Sequence, residues 1–275
     1  MALLCAAEPD CMVPIGQTKA CIYTATAPKL ICHRQDQSLM EILRYNMEYR
    51  QQIEDPSFLT QLNPAHPRSS NRPLQSSGIS GFFDLLRAAN NHYYPYLRTV
   101  IASVKEIFGC QQKIIAYDLE TVTKNKEWMN ELDSVCNFEW RIFDFTQMVE
   151  GRVRHLKSFA WKFFVWAHVL LEYDTVVWLD TSVVFHKNDF KRFFEPMENG
   201  KIGTVQIPSF ALHTMNMSTH PGMYEYLPMY QNFEPNRTYE LIGTYKPIIK
   251  TDPPQFETNF VIMHKSEQTR QVMKW

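Results

Sequence analysis

The sequence predicts an α/β protein with an open mixed sheet flanked by helices. Two observations indicate this fold class: an apolar run at residues 178–185 follows a helix-like segment at residues 160–173, and a second helix and strand succeed one another at residues 100–119. Strands that alternate with helices of this length are typical of α/β sheets. With 275 residues, of which 45% are hydrophobic, the chain can bury a full core of this class.

The N-terminal part of the chain contains a predicted helix and most of the cysteines. Asp36 and Gln37 lead into helical residues 39–46. Because Asp is a preferred N-cap residue, capping is one interpretation of Asp36 and a functional role is the other. Residues 51–80 hold several prolines and a serine-rich stretch, which is linker composition. The expected division of the chain is residues 1–50, a linker at 51–80 and a main domain at 81–275.

A polar turn, a helix and a strand follow the linker. Asn90 and Tyr93 lie in the turn, ahead of an amphipathic helix at 100–108 and an apolar strand at 113–119. Asn caps helices well and tolerates tight turns, so Asn90 can be structural. Residues 82–87 are a poor candidate for the strand before this turn, because two charges interrupt the apolar pattern.

The helix at residues 160–173 carries a lysine on its apolar face. Lys162 belongs to a stripe of residues spaced three or four positions apart, whose other members are Phe159, Phe163, Trp166 and Leu170. A lysine in such a stripe most often extends its amine outward to water. The alternative is that the amine of Lys162 faces a binding site.

The apolar run after this helix is interrupted by Asp180. A buried strand that ends in a carboxylate places that carboxylate at the carboxyl edge of the sheet, where open α/β sheets bind ligands. Ser182 adds a hydroxyl two residues later. Oxygen ligands of this kind suit a divalent cation, Mn²⁺ or Mg²⁺. A strand-end acid can also cap the next turn.

A further strand with a polar entrance is predicted at residues 255–264. Glu257 lies in that entrance and is a candidate for the base that activates an acceptor hydroxyl. The alternative is a solvated acid at the edge of a strand.

These segments resemble glycosyltransferases with the GT-A fold. Asp180-Thr181-Ser182 resembles their metal-binding Asp-X-Asp motif, with a hydroxyl in place of the second acid. Ala160-Trp161-Lys162 resembles the segment whose basic residue faces the donor's phosphates, and the turn with Asn90 and Tyr93 resembles the one that faces the nucleobase and ribose. Asp36 and Gln37 resemble an Asp-Gln pair whose acid binds sugar hydroxyls. The resemblance implies transfer of a sugar from a nucleotide donor to a hydroxyl acceptor on a glycan or protein.

The fullest resemblance is to an uncharacterised family of GT-A-like secretory proteins, which places the segments found here at residues 5–16 and 32–40 after the other motifs. The resemblance therefore implies a permuted or truncated chain. If the permuted chain forms one closed domain, the carboxylates of Asp36 and Asp180 should lie within about 15 Å of each other, lining one pocket.

Composition limits the partners and the compartment. The net charge is −1 without a basic stripe, so nucleic acid is not an expected partner. The sequence has no apolar run long enough for a transmembrane segment, and residues 1–7 are too short for a signal peptide. Six cysteines predict a disulfide framework of open connectivity, and Asn216 and Asn236 begin glycosylation sequons. Together they favour the lumen of the Golgi or the endoplasmic reticulum.

Two other functions stay open at this point. A non-catalytic binding module or inactive fragment is one, because the second acid of the metal motif is missing; such a protein releases no free sugar from a nucleotide donor. A glycoside hydrolase that uses Asp180 with Asp36 or Glu257 as an acid pair is the other, and it needs no nucleotide.

Overall fold

The computed structural model describes residues 1–16, 34–61, 63, 65–66, 84–119, 121–148, 151–188, 190–208, 210–227 and 254–273. The strands in this part of the chain are β1 (Asp84–Ala89), β2 (Ile114–Asp118), β3 (Phe138–Ile142), β4 (Thr175–Leu179), β5 (Val205–Gln206), β6 (Phe210–Thr214), β7 (Pro254–Phe256) and β8 (Phe260–His264). The helices are α1 (Ala2–Ala7), α2 (Pro9–Met12), α3 (Gln35–Glu54), α4 (Tyr94–Phe108), α5 (Lys126–Asp133), α6 (Trp161–Glu172), α7 (Lys191–Glu198), α8 (Met215–Ser218), α9 (Pro221–Tyr226) and α10 (Glu267–Met273).

The main sheet is open and mixed, with strand order β3-β2-β1-β4-β8-β5. Strands β1 to β4 are parallel, and β8 runs antiparallel to both β4 and β5. Strands β6 and β7 pair in a separate small sheet. The α/β class with an open mixed sheet and flanking helices, expected from the sequence, is confirmed.

The strand order creates a crevice beside β4. From β1 the chain continues outward to β2 and β3 on one side, whereas β4 pairs with the other side of β1. Open α/β sheets bind ligands outside the carboxyl ends of their strands at such a switch in direction. Here that position lies between the residues that follow Ala89 and Leu179.

Apolar clusters cover both faces of the sheet. Successive residues of a strand point to opposite faces, so Trp178 packs in one cluster and Val177 in the other. The N-terminal helices belong to the first cluster, where Met12 and Leu39 are fully buried with Trp166. The helices at residues 1–16 and 34–61 therefore pack against the rest of the protein through a shared core.

The chain ends approach each other. Helices α1 and α10 are in contact, and Met1 and Val272 line the same cavity. The permuted order that the resemblance implies stays a prediction.

The observed elements differ from the sequence expectations in their boundaries. Helix α6 begins at Trp161 and excludes Phe159. Strand β4 ends before Asp180, and the strand expected at 255–264 divides into β7 and β8, which belong to different sheets. Residues 82–87, which the sequence makes a poor candidate for a strand, overlap β1, which pairs on both sides. Helix α3 runs past the expected boundary at residue 50, to Glu54.

Two disulfides are present in the described residues. Cys5–Cys11 joins α1 to α2, and Cys110–Cys136 joins the end of α4 to the start of β3. Cys21, Cys32 and the sequon at Asn236 lie outside the described residues, and Asn216 falls in α8. None of the helices between residues 1 and 273 that the structure describes is long and apolar enough to cross a membrane.

Charged side chains cover the outermost strand, β3. Arg141 forms ion pairs with Glu139 at 2.6 Å and with Glu172 at 2.7 Å. Lys113 pairs with the same Glu139 at 2.7 Å. This network links β3 to its neighbour β2 and to helix α6.

Candidate active site

Three charged side chains from distant segments meet next to β4. The amine of Lys162 lies 2.7 Å from Asp36 Oδ2 and 3.0 Å from Asp180 Oδ1. We call these three residues the acid–lysine cluster. The two carboxylates, expected within about 15 Å of each other, bind a single nitrogen atom.

A different element positions each member of the cluster. Asp36 lies in the first turn of α3, whose N-cap residue is Arg34, and its Oδ2 accepts a hydrogen bond from Thr258 Oγ1 at 2.6 Å. Lys162 is in the first turn of α6. The backbone amide of Asp180 donates to the carbonyl of Asn259 at 2.7 Å. Asp36 therefore directs its carboxylate towards Lys162 and Thr258.

The indole of Trp178 orients the carboxylate of Asp180. Trp178 Nε1 donates a 2.7 Å hydrogen bond to Asp180 Oδ1, which is possible because residues two apart in a strand share a face. Trp178 is itself buried and packs edge-on against Trp161 and Trp166, with ring centroids 5.9 and 5.8 Å away. The side chain of Asp180 is nevertheless 33% exposed.

Burial and ion pairing set the charge states of the cluster. The side chain of Lys162 is only 3% exposed, so its amine does not extend outward to water. Burial works to lower the pKa of Lys162, but the adjacent carboxylates of Asp180 and Asp36 raise it above its usual range. Burial works to raise the pKa of Asp36, but the charge and hydrogen bond of Lys162, with help from Thr258, lower it. Two carboxylates and one ammonium give the cluster a net charge of about −1.

Phe159 lies beside the cluster in an unusual backbone conformation. Its φ is 56° and its ψ is 8°, a left-handed conformation that costs an L-residue about 1 to 2 kcal/mol. Its ring centroid is 5.1 Å from Lys162 Nζ, and the residue is 38% exposed. The preceding turn fixes this geometry, since Ser158 Oγ donates to the carbonyl of Val153 at 2.6 Å and accepts from the amide of Ala160 at 3.2 Å.

The candidates in the turn after β1 lie on the other side of the crevice. Asn90 Oδ1 accepts hydrogen bonds from the amides of His92 and Tyr93 at 3.1 and 3.3 Å, so this side chain shapes the turn into α4. Tyr93 is 48% exposed, and its ring packs edge-on against His92 with centroids 4.9 Å apart. Tyr93 is thus the more accessible of the two for a nucleoside.

The other candidates are close in sequence to residues that form the site. Among the described residues, no hydrogen bond or ion pair is seen between these candidates and the acid–lysine cluster. Gln37 is buried next to Asp36 in α3, and Ser182 is exposed in the turn after Asp180. Glu257 is half-buried ahead of β8, and its Oε2 lies 3.5 Å from Asn259 Nδ2.

The residues near Asp180 fit a divalent cation whose coordination the donor completes. Mg²⁺ is usually bound by one or two carboxylates together with phosphates and water. The side chain of Asp180 is 33% exposed, and Ser182 is exposed in the turn that follows. No group of three His, Cys, Asp or Glu suited to a metal occurs among the described residues. Asp180 would therefore be the main protein ligand, with Ser182 as a second oxygen.

Three site residues were missed at the level of sequence: Trp178, Thr258 and Phe159. Trp178 could have been found, because its spacing of two from Asp180 in a strand predicts a shared face. Thr258 is 222 positions from Asp36 and has no local signal. Phe159 fits the helical stripe of α6, and this apolar spacing conceals its place outside the helix.

Similarity to known proteins is found only at the level of solved structures, at low sequence identity. No protein-family model matches this chain, and no curated protein matches it. Among solved structures, apo WbbM, a bifunctional glycosyltransferase, is 14% identical with a TM-score of 0.43, covering 72% of this chain and 34% of its own. The galactosyltransferase LgtC in complex with donor and acceptor sugar analogues is 14% identical with a TM-score of 0.38, covering 66% and 58%. Apo mouse xyloside xylosyltransferase 1 is 12% identical with a TM-score of 0.38, covering 70% and 72%.

Proposed function

We propose that this protein is a GT-A-like glycosyltransferase, which binds a nucleotide sugar at the carboxyl edge of β1 and β4 and transfers the sugar to a hydroxyl group of a glycan or protein acceptor. The main support is the acid–lysine cluster, which draws residues from α3, α6 and the end of β4 to the side of the crevice. Buried charges brought together from such distant parts of a chain, at the position where open α/β sheets bind ligands, favour a functional site.

The crevice offers different chemistry on its two sides. Tyr93 next to β1 presents an exposed ring for the nucleoside, with Asn90 shaping its turn. Next to β4, ionised carboxylates accept hydrogen bonds only, which suits the hydroxyl groups of a sugar. In this proposal Asp36 and Gln37 lie on the sugar side, and Glu257 serves as the base that takes the acceptor's proton.

A divalent cation, Mn²⁺ or Mg²⁺, belongs to the proposal at Asp180 and Ser182. When bound, it would neutralise the diphosphate of the donor as it leaves. Lys162, for which a contact with the phosphates is also proposed, has its amine on two carboxylates and holds them in place. Because the side chain of Lys162 is only 3% exposed, direct contact of its amine with a phosphate requires the side chains around it to move.

The proposal is tested by thermal-shift titration of nucleotide sugars with and without Mn²⁺, because a ligand that binds the folded protein raises its melting temperature. Asp180→Asn should abolish the Mn²⁺-dependent shift, since the amide is isosteric but lacks the charge that a cation needs. Its unliganded melting temperature should also fall, because the buried ammonium of Lys162 loses one of its two ion pairs. Asp174→Asn, at the exposed opposite end of β4, is the matched control and should behave like the parent. If Asp180→Asn titrates donor and Mn²⁺ as the parent does, the metal role of Asp180 is wrong.

A binding module is the second candidate, favoured by Ser182 in place of a second acid. Hydrolysis of the donor separates the two candidates, because a module binds nucleotide but releases no sugar. A glycoside hydrolase is less well supported, since its general acid needs a raised pKa and Lys162 lowers the pKa of Asp36. A location in the Golgi or endoplasmic reticulum lumen stays a proposal, with which the two disulfides agree.

A further inference from the structure

Phe159 combines two features that ordinary packing does not explain together. An exposed apolar side chain is common on protein surfaces and needs no function. A bulky residue with positive φ, by contrast, persists only when its surroundings hold it there, and such residues concentrate at binding sites. Here the turn held by Ser158 keeps Phe159 in the left-handed region while leaving its side chain 38% exposed.

The position of the ring relates it to the acid–lysine cluster. Lys162 Nζ lies 5.1 Å from the Phe159 centroid and 3.0 Å from Asp180 Oδ1. The same amine lies 5.5 Å from the ring of Trp178, which is buried. Phe159, which is 38% exposed, and Asp180, whose side chain is 33% exposed, therefore contact one buried amine.

We infer that Phe159 and Asp180 form a subsite for a sugar ring, in which the apolar face of the sugar stacks on Phe159 and a sugar hydroxyl donates a hydrogen bond to Asp180. This inference rests on the proposed function, and it adds a specific residue that recognises the sugar. Pyranose rings have a C–H face that packs on aromatic surfaces and a rim of hydroxyl donors.

The hydrogen-bonding chemistry favours a sugar over a nucleobase beside Phe159. Ionised carboxylates offer acceptors and no donors, whereas the edges of a nucleobase present both donors and acceptors. A ligand with many hydroxyl donors and one apolar face matches the pair of side chains best.

The test uses Phe159→Gly, because glycine adopts the left-handed conformation freely and removes only the ring. Binding of methyl galactoside, methyl glucoside and methyl xyloside is followed by saturation-transfer NMR, with UDP titrated in parallel. We expect Phe159→Gly to remain folded, because relief of the left-handed strain offsets part of the lost packing. It should bind the glycosides about tenfold more weakly, as the loss of one stacking contact implies, and bind UDP unchanged. Phe159→Trp should retain glycoside binding.

Asn137→Gly is the matched control, since Asn137 also has positive φ, at 48°, and lies at the start of β3, on the opposite edge of the sheet. It should change neither titration. Equal weakening of UDP and glycosides in Phe159→Gly would show that the ring stacks on the base and would overturn the inference. Unchanged glycoside binding in Phe159→Gly would overturn it as well. A parent that binds UDP but no glycoside would refute the sugar subsite and leave the proposed nucleotide site standing, whereas a parent that binds glycosides but no nucleotide would refute the nucleotide donor alone.

One further outcome concerns folding. Phe159→Asn is a second variant that tolerates positive φ. If both Phe159→Gly and Phe159→Asn unfold, the ring is a packing residue and the subsite does not exist.

Discussion

Lys162 is the residue on which the candidate site depends. Its ammonium group is buried, and two ion pairs offset the cost of removing it from water. Neither partner is adjacent to it in sequence, so these contacts also tie α3 and the end of β4 to α6. The charge of the lysine thus contributes to stability and to the orientation of both carboxylates.

We expect Lys162→Met to lower the free energy of unfolding by about 3 to 5 kcal/mol, because it leaves Asp36 buried without a counter-charge. Urea unfolding monitored by circular dichroism measures the loss. Lys162→Met combined with Asp36→Asn should recover part of it, and Lys157→Met, at an exposed position five residues earlier, serves as the control. A loss below about 1 kcal/mol, typical of surface pairs, would contradict the buried role.

The lowered pKa of Asp36 predicts a defined dependence of stability on acid. Since this pKa is lower in the folded than in the unfolded chain, where it is near 3.8, the stabilisation is fully present above pH 3.8 and is lost as the pH falls through the folded value. The free energy of unfolding of the parent should therefore decline more steeply below pH 3.8 than that of Asp36→Asn. Calorimetry of both proteins between pH 2 and pH 7 checks this. The same decline of the free energy of unfolding below pH 3.8 in both proteins would contradict it.

At the scale of elements, the periodicity of apolar residues predicts helices whose buried face is determined by short-range packing. The spacing of Phe163, Trp166 and Leu170 correctly predicts α6 and its buried face. It does not distinguish Phe159, because a residue in a turn just before a helix can fit the same spacing. The sequence pattern also fails to predict strand β1. Its central position, with hydrogen-bonded strands on both sides, stabilises a segment whose own pattern of apolar and charged residues is mixed.

The disulfide between Cys110 and Cys136 joins α4 to β3 across a loop with a sequence separation of 26. Replacing both cysteines with alanine should lower the free energy of unfolding by about 3 to 4 kcal/mol, because an unfolded chain with this loop open gains entropy. Urea unfolding of the oxidised parent and the double variant gives the difference. A change of less than about 1 kcal/mol would mean that the bond does little to restrict the unfolded chain.

At the scale of the whole molecule, Asp36 and Lys162 are in contact although 126 positions separate them in the sequence. No periodicity reports a contact of that range; the resemblance to GT-A enzymes led to the expectation that Asp36 and Asp180 line one pocket, and this proximity is observed. Thr258 completes the network through a contact that only the folded chain displays, whereas the spacing of two residues between Trp178 and Asp180 can be read from the sequence.

The shared core predicts that the N-terminal segment stays bound after cleavage. With a protease site inserted between residues 70 and 80, within the sequence-predicted linker, the two pieces should elute together in gel filtration after cutting. The reason is that Leu39 and Met12 are buried with Trp166, and Asp36 pairs with Lys162. Lys162→Met in the cut protein should weaken the association. Separate elution of the two pieces of the parent protein would contradict the common core.

The ion pairs along β3 have a consequence for solubility. The outermost strand of a sheet presents unpaired backbone groups to which a strand of another molecule can add. Glu139 and Arg141 place opposite charges along this strand, and an incoming apolar strand would have to desolvate them. Replacing both with threonine, which favours strands, would leave the candidate site intact. It would also allow β3 to pair with a strand of another molecule, so that molecules in concentrated solution would assemble edge to edge.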